Sequence, residues 1–228
     1  MSNKSKVVTI HQPQYIPYLG FFNKVYNSDI FIVLDDVFNF KGDFTNRNRI
    51  KTVGGLQWLT IPLSRDKRII KDVIIKDEIW INKHLKSIKY NYSKSAFFDS
   101  FMPGFEKILR SKAWTKLIDL NMSLLQHLFK VLKLEVEIVF SSNISKNSSG
   151  SDRLIELIKH VNCERYLAGP GSYNYLDVSL FEASEIEVIN QTFVQKKYKQ
   201  LHGKFESNLS ILDSLFNLGS DGVRELIR

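Results

Sequence analysis

Several of the features that mark large protein classes are scarce or missing in this 228-residue chain. It has one cysteine, Cys163, so no intramolecular disulfide can form, and a scaffold held by disulfides is excluded. No stretch approaches the roughly 18 consecutive apolar residues that would span a bilayer. Met1 leads into a polar, lysine-bearing stretch without the apolar centre of a secretory signal, so a reducing cytoplasm is the expected compartment. The five histidines, at positions 11, 84, 127, 160 and 202, lack His-x-x-x-His spacing, and a lone cysteine cannot form Cys-x-x-Cys, so no protein-built metal site is expected. Phosphate-loop, dinucleotide-fingerprint and nucleophile-elbow motifs are missing as well. Cys163 reads as packing in an apolar connection.

What is present is enough to fold. Hydrophobic residues make up 43% of the chain and aromatics 12%, which can bury a full core and excludes a disordered chain. The net charge of +8 suits an anionic partner, either nucleic acid or a phosphate-bearing small molecule. Most of the lysines read as solvated helix faces.

The run Lys6 to Ile10 is β-branched and ends at His11, after which Pro13, Pro17 and Gly20 stop the strand and a helix begins near Gly20. Ile30 to Leu34 is an unbroken apolar run ending at Asp35-Asp36, as in a parallel strand covered on both faces. The opening is therefore a βαβ unit, and the chain reads as α/β, with a Rossmann-like, mostly parallel sheet and a helical insertion or subdomain. Gln57 to Leu63 and Asp72 to Lys76 read as further strands around the turn Ser64 to Lys67. Helical periodicity then governs residues 78–133. The expected organisation is an N-terminal βαβ part over 1–77, a helical insertion over 78–133, and a C-terminal α/β part over 134–228 that completes the same sheet. In the last part come a strand Val136 to Phe140, a mobile serine-rich linker Ser141 to Ser151, a helix Arg153 to Val161 capped by Asp152, strands Glu164 to Ala168 and Glu187 to Asn190, and a helix around Leu209 to Phe216.

Three constellations carry candidate chemistry. In His11-Gln12-Pro13-Gln14-Tyr15-Ile16-Pro17-Tyr18-Leu19-Gly20, an imidazole at a strand end precedes a glycine-opened helix whose free N–H groups suit phosphate. The alternative is a rigid loop with a structural histidine. In Asn46-Arg47-Asn48-Arg49-Ile50-Lys51, an extended backbone puts Arg47, Arg49 and Lys51 on one face, where they can fork onto phosphate while Asn46 reads a hydroxyl or base. The alternative is a solvated basic sheet edge. In Gly169-Pro170-Gly171, followed by Tyr173, Tyr175 and Asp177, a break at a strand's carboxyl end exposes backbone amides to an anion, or forms a plain turn. Gln191, Tyr198, Gln200 and His202 form a polar C-terminal set placed to close such a site.

The stretch His11 to Lys24, H-Q-P-x-Y-x-P-Y-x-G-F-F-x-K, resembles the N-terminal signature of the WbqC-like family of bacterial proteins, encoded among surface-polysaccharide genes. The similarity continues through Asp35-Asp36, Asn46 to Lys51 with Trp58-Leu59-Thr60, Tyr166 to Gly171 with Tyr175-Leu176-Asp177, and Leu209 to Gly219. It implies a role in O-antigen, lipopolysaccharide or capsule biosynthesis. The leading expectation is a transferase that forms an amide on a nucleotide-linked amino sugar from an acyl or aminoacyl donor. In it His11 is general base or charge stabiliser, Asp35 and Asp36 hold the amine or a metal, and Gln12, Tyr15, Tyr18, Asn46, Arg47, Arg49, Lys51, Gly169, Gly171, Tyr173, Tyr175, Asp177, Gln191 and His202 line the substrate. The cofactor stays open under that reading, with ATP and Mg²⁺ one option. A second reading is nucleotidyl transfer or ligation with ATP and Mg²⁺, by analogy with nucleotidylyltransferase-like enzymes, but Gln14 stands where their second histidine falls. A third is a nucleic-acid or assembly-binding module, which rests on the charge alone.

Overall fold

The computed structural model describes residues 6–64, 68–145, 147–174 and 176–228, with Tyr173 and Asn174 described in their backbone only. Five strands form one parallel sheet: β1 (Val7–His11), β2 (Ile30–Val33), β5 (Glu137–Phe140), β6 (Arg165–Ala168) and β7 (Glu187–Asn190), in the order β5-β2-β1-β6-β7. A separate antiparallel hairpin pairs β3 (Arg47–Thr52) with β4 (Gly55–Thr60). The fold is α/β with a mostly parallel sheet. The hairpin begins earlier than the strand read from Gln57, and Asp72 to Lys76 is no strand. Ile70–Asp72 is a 3₁₀ turn, and beyond it only isolated bridges, Leu63 to Ile75 and Ile74 to Lys116, tie the segment down.

Helix packing follows from the alternation along β1 and β2. Val8, Ile10, Ile30 and Ile32 face α5 (Gly150–His160) and α6 (Val178–Ala183), whereas Phe31 and Val33 face α1 (Leu19–Tyr26), α4 (Leu117–Leu132) and α7 (Ile211–Ile227). A third apolar cluster joins α2 (Ile79–Tyr92), α3 (Phe98–Leu109) and Ile50 and Leu59 of the hairpin to the far sides of α4 and α7. Because α4 and α7 have apolar residues on both sides, α1 is enclosed, and every residue from Leu19 to Val25 is buried. That enclosure matters for Lys24.

Two other expectations change. Helix α5 starts at Gly150, so Asp152 lies in its first turn and is not its cap. The C-terminal helical stretch extends to Ile227, but it is kinked at Gly219, whose φ of 73° is not helical and which stands against the Phe97 ring.

Candidate functional site

The strand order reverses beside β1. From β1 the chain builds outward through β2 and β5 on one side, and β6 and β7 lie on the other. At such a switch point the loops leaving neighbouring strands run in opposite directions and leave a crevice at the carboxyl ends. Here the crevice lies between His11, which ends β1, and Gly169, which follows β6.

β1 and β6 part company at this place. β1 pairs with β2 over four positions, from Val8 with Ile30 to His11 with Val33, but with β6 at only two, Val7 with Arg165 and Val8 with Tyr166. Beyond them the Thr9 hydroxyl bridges to the Leu167 carbonyl at 3.0 Å. On the β2 side the carbonyls of Val7 and His11 accept from Asp29 and Leu34, so the Ile10 carbonyl points toward β6. It finds no strand partner there. The Lys24 ammonium reaches in from α1 and donates to it at 3.1 Å.

Lys24 is therefore a lysine wedged between two diverging strands. It is 3% exposed and makes no ion pair among the described residues. Burial lowers its pKa from 10.5 to about 7. The loop after β6 packs on the amine: a side-chain carbon built on Gly169 would stand 3.5 Å from Nζ. Gln191, after β7, is beside them. Its amide donates at 2.7 Å to both the Gly20 carbonyl and Asn23 Oδ1, and its backbone N–H donates to Ala168.

His11 shares this edge. Burial, and then the nearby Lys24 charge, lower its pKa to about 3, so the imidazole is neutral at pH 7. Nδ1 lies 3.0 Å from the Gln12 carbonyl. A carbonyl can only accept, so Nδ1 carries the proton and Nε2 keeps a lone pair, with no hydrogen-bond partner among the described residues. The ring is fixed edge-on against Phe21, with centroids 5.3 Å apart.

The other expected site residues divide sharply. Asp35 and Asp36 are buried, and their oxygens are already engaged. Asp35 accepts from the Ser142 N–H at 2.9 Å and the Ser142 hydroxyl at 2.7 Å, and the Ser141 hydroxyl lies 3.0 Å from Asp35 and 2.6 Å from Asp36. Arg153 of α5 pairs with Asp36 at 3.0 Å. The two carboxylates anchor the loop after β5, so the serine-rich linker is tied down at its start, and the oxygens expected to hold an amine or metal are engaged by Ser141, Ser142 and Arg153. The cause is lateral neighbourhood: β5 lies next to β2, so its trailing serines meet the acids that trail β2.

Tyr15 is fully buried, and its hydroxyl pairs with His84 Nδ1 at 3.0 Å. It is a core residue. Lys51 is buried under the C-terminal coil, donating to Gln200 at 3.0 Å and to the Lys204 carbonyl, so the single cationic face of β3 does not exist. Arg47 donates to the Gly42 carbonyl at 2.6 and 3.1 Å and lies over the Trp58 ring at 4.3 Å, while Arg49 lies 5.5 Å from the same ring. The Asn46 amide donates to the Ile61 carbonyl at 2.8 Å. Asp177 caps α6 through Ser179 instead of facing a ligand. His202 is held by the Asn91 carbonyl at 2.8 Å, and Tyr198 and Gln200 bond to the buried Asp213, so of the C-terminal set only Gln191 reaches the crevice. Gln12 is half-buried next to His11, and Tyr18 lays its half-buried ring over Gly20, with burial raising its phenol pKa. Gly171 faces open space. Tyr175 and the Tyr173 side chain lie outside the described residues, as do Arg65 to Lys67 of the expected turn.

Lys24 was missed as a site residue, although the motif ends on it. The signal was available: one lysine in Leu-Gly-Phe-Phe-Asn-Lys-Val-Tyr, a helix otherwise apolar enough to be enclosed. Among the described residues no three His, Cys, Asp or Glu side chains group as metal ligands, and no helix is long and apolar enough to cross a membrane.

The chain is similar in sequence to known proteins over nearly its whole length. An uncharacterized protein of Mycobacterium tuberculosis is 34% identical over 220 residues, which cover 95% of each chain. The model of the WbqC-like protein family matches residues 12–225, nearly the whole sequence and including Lys24 and Gly169, and the chain belongs to that family.

Proposed function

We propose that the chain is a cytoplasmic transferase of surface-polysaccharide biosynthesis, O-antigen or capsule, that forms an amide on a nucleotide-linked amino sugar from an acyl or aminoacyl donor. The observation that carries this reading is the Lys24 amine, held on the Ile10 carbonyl at the switch point with a pKa of about 7. A general base works best when its pKa lies near the working pH. The base role expected of His11 therefore passes to Lys24, because an imidazole with a pKa of about 3 holds a proton poorly.

In the neutral state Lys24 gives one N–H to the Ile10 carbonyl and keeps its lone pair. His11 Nε2 accepts a hydrogen bond from the sugar amine and orients it. As the amine attacks the acyl carbonyl, a C–N bond forms and the amine proton passes to Lys24. The resulting ammonium faces the tetrahedral oxyanion and then protonates the leaving group as the bond to the donor breaks.

The test incubates the protein with nucleotide-linked amino sugars and acyl-thioester, aminoacyl-ester or amino-acid-plus-ATP donors, and reads the sugar mass. The expected result is one acyl increment in wild type, lost in Lys24→Met and reduced in His11→Gln. The reading is overturned if no donor gives an increment, or if Lys24→Met retains full turnover.

A further inference from the structure

The loop leaving β2 carries a feature that the chemistry above does not use. Phe38 and Phe40 are 55% and 66% exposed, although exposed phenylalanine gains nothing from water. Their rings lie 6.3 Å apart, tilted by 46°, and help line a hollow of about 550 Å³ with Lys41, Asn39, Asn46 and Arg68. The aromatics are held out by a tied loop. The Asn39 N–H donates to Arg68 at 2.7 Å, the Phe40 N–H donates to Asp43 at 3.1 Å, and Arg47 clamps the Gly42 carbonyl. Lys41 and Arg68 are exposed and make no ion pair among the described residues. Asp43, in the same loop, is engaged by the loop's own backbone.

We propose that this hollow binds a nucleoside diphosphate, with the base stacked on Phe38 and Phe40 and the diphosphate on Lys41 and Arg68. Flat apolar rings beside exposed cations complement a π-faced anion, and stacking tolerates any base. A hollow of this volume admits one nucleotide, whereas a nucleic-acid strand needs a basic track with repeated platforms. The loop is also joined to the catalytic edge. The Tyr15 N–H donates to the Phe44 carbonyl at 3.0 Å, and the Asn121 amide bridges the Pro13 and Thr45 carbonyls at 2.9 and 2.7 Å. The proposal rests on the reading above for its substrate class, since a nucleotide-linked sugar would bring its nucleotide here.

Equilibrium titration with uridine, thymidine and adenosine diphosphates tests it, with inorganic diphosphate and a polyuridine oligonucleotide as comparisons. Saturable binding of a nucleoside diphosphate is expected, weakened about tenfold or more in Phe38→Ala/Phe40→Ala. Diphosphate alone should bind more weakly. Because these residues are exposed, the variants test binding and not folding, which unchanged thermal unfolding checks. The proposal is overturned if none of the three nucleoside diphosphates binds, if the aromatic variant binds as tightly as wild type, or if the oligonucleotide binds more tightly than every mononucleotide. Nucleotide binding with no amide transfer would leave the hollow standing and remove the transferase reading alone.

Discussion

Replacing Lys24 with methionine should make the protein more stable, most of all near and below pH 7, where the full cost of burying the amine falls on the folded state. The folded-state pKa is lowered from 10.5 to about 7 by burial. The unfolded chain therefore binds more protons between these values, and stability rises with pH across that window and levels off below it. At about 1.36 kcal/mol per unit, the burial cost is on the order of 5 kcal/mol at pH 6.5 and about 1 kcal/mol at pH 9.5. Methionine fills the same unbranched channel with no charge to desolvate, but it leaves the Ile10 carbonyl without its donor, which costs about 1–3 kcal/mol. The net expectation is a gain of about 3 kcal/mol at pH 6.5, or roughly 6–12 °C in Tm for a chain of this size, falling to nothing or a slight loss at pH 9.5. Urea unfolding of both proteins at the two pH values measures the difference, and subtraction removes the titrations they share. A variant no more stable than wild type at pH 6.5, or one whose advantage is the same at both pH values, would refute the claim that burial shifts this amine.

Two other substitutions separate access from architecture. Gly169→Ala adds a carbon at ordinary contact distance, 3.5 Å from Lys24 Nζ, at a backbone position without positive φ; thermal unfolding should be unchanged while transfer falls at least about tenfold, and an active variant would show that the amine is not approached from that side. Arg153→Met leaves Asp36 buried without its cation and removes donors to the Ser141, Ile144 and Ser145 carbonyls; denaturant unfolding should show a loss of about 3–5 kcal/mol, and a loss under about 1 kcal/mol would mean that the loop after β5 stands without it.

The elements of the parallel sheet were legible because each strand carries its own local evidence. Val7 to His11, Ile30 to Val33, Arg165 to Ala168 and Glu187 to Asn190 are short, largely apolar runs bounded by turn residues, and such a pattern shows wherever the strand lies in the sheet. Lateral order has no such local signature. That β5 borders β2, which decides the fate of Asp35 and Asp36, follows from packing among distant segments, so two acids at a strand end read as an open site when they are a closed anchor. The cationic stripe on β3 failed for a related reason, since alternation correctly grouped Arg47, Arg49 and Lys51 but could not show the coil at Gln200 to Lys204 lying across one end of it.

The histidine motif shows how far a local signal reaches into chemistry. His11 does end β1, because a strand followed by prolines must end there whatever its neighbours do. Its protonation is set by enclosure and by a charge thirteen residues further along the chain, and neither is a property of the motif's spacing. The same enclosure that suppresses the imidazole's basicity brings the lysine's down to about 7, so one environment moves two groups in the same direction and leaves them with opposite uses. The imidazole becomes a fixed acceptor and the amine a base near neutrality. The splay between β1 and β6 joins these effects, since a fully paired ladder would satisfy the Ile10 carbonyl and leave Lys24 neither a partner nor a reason to be buried.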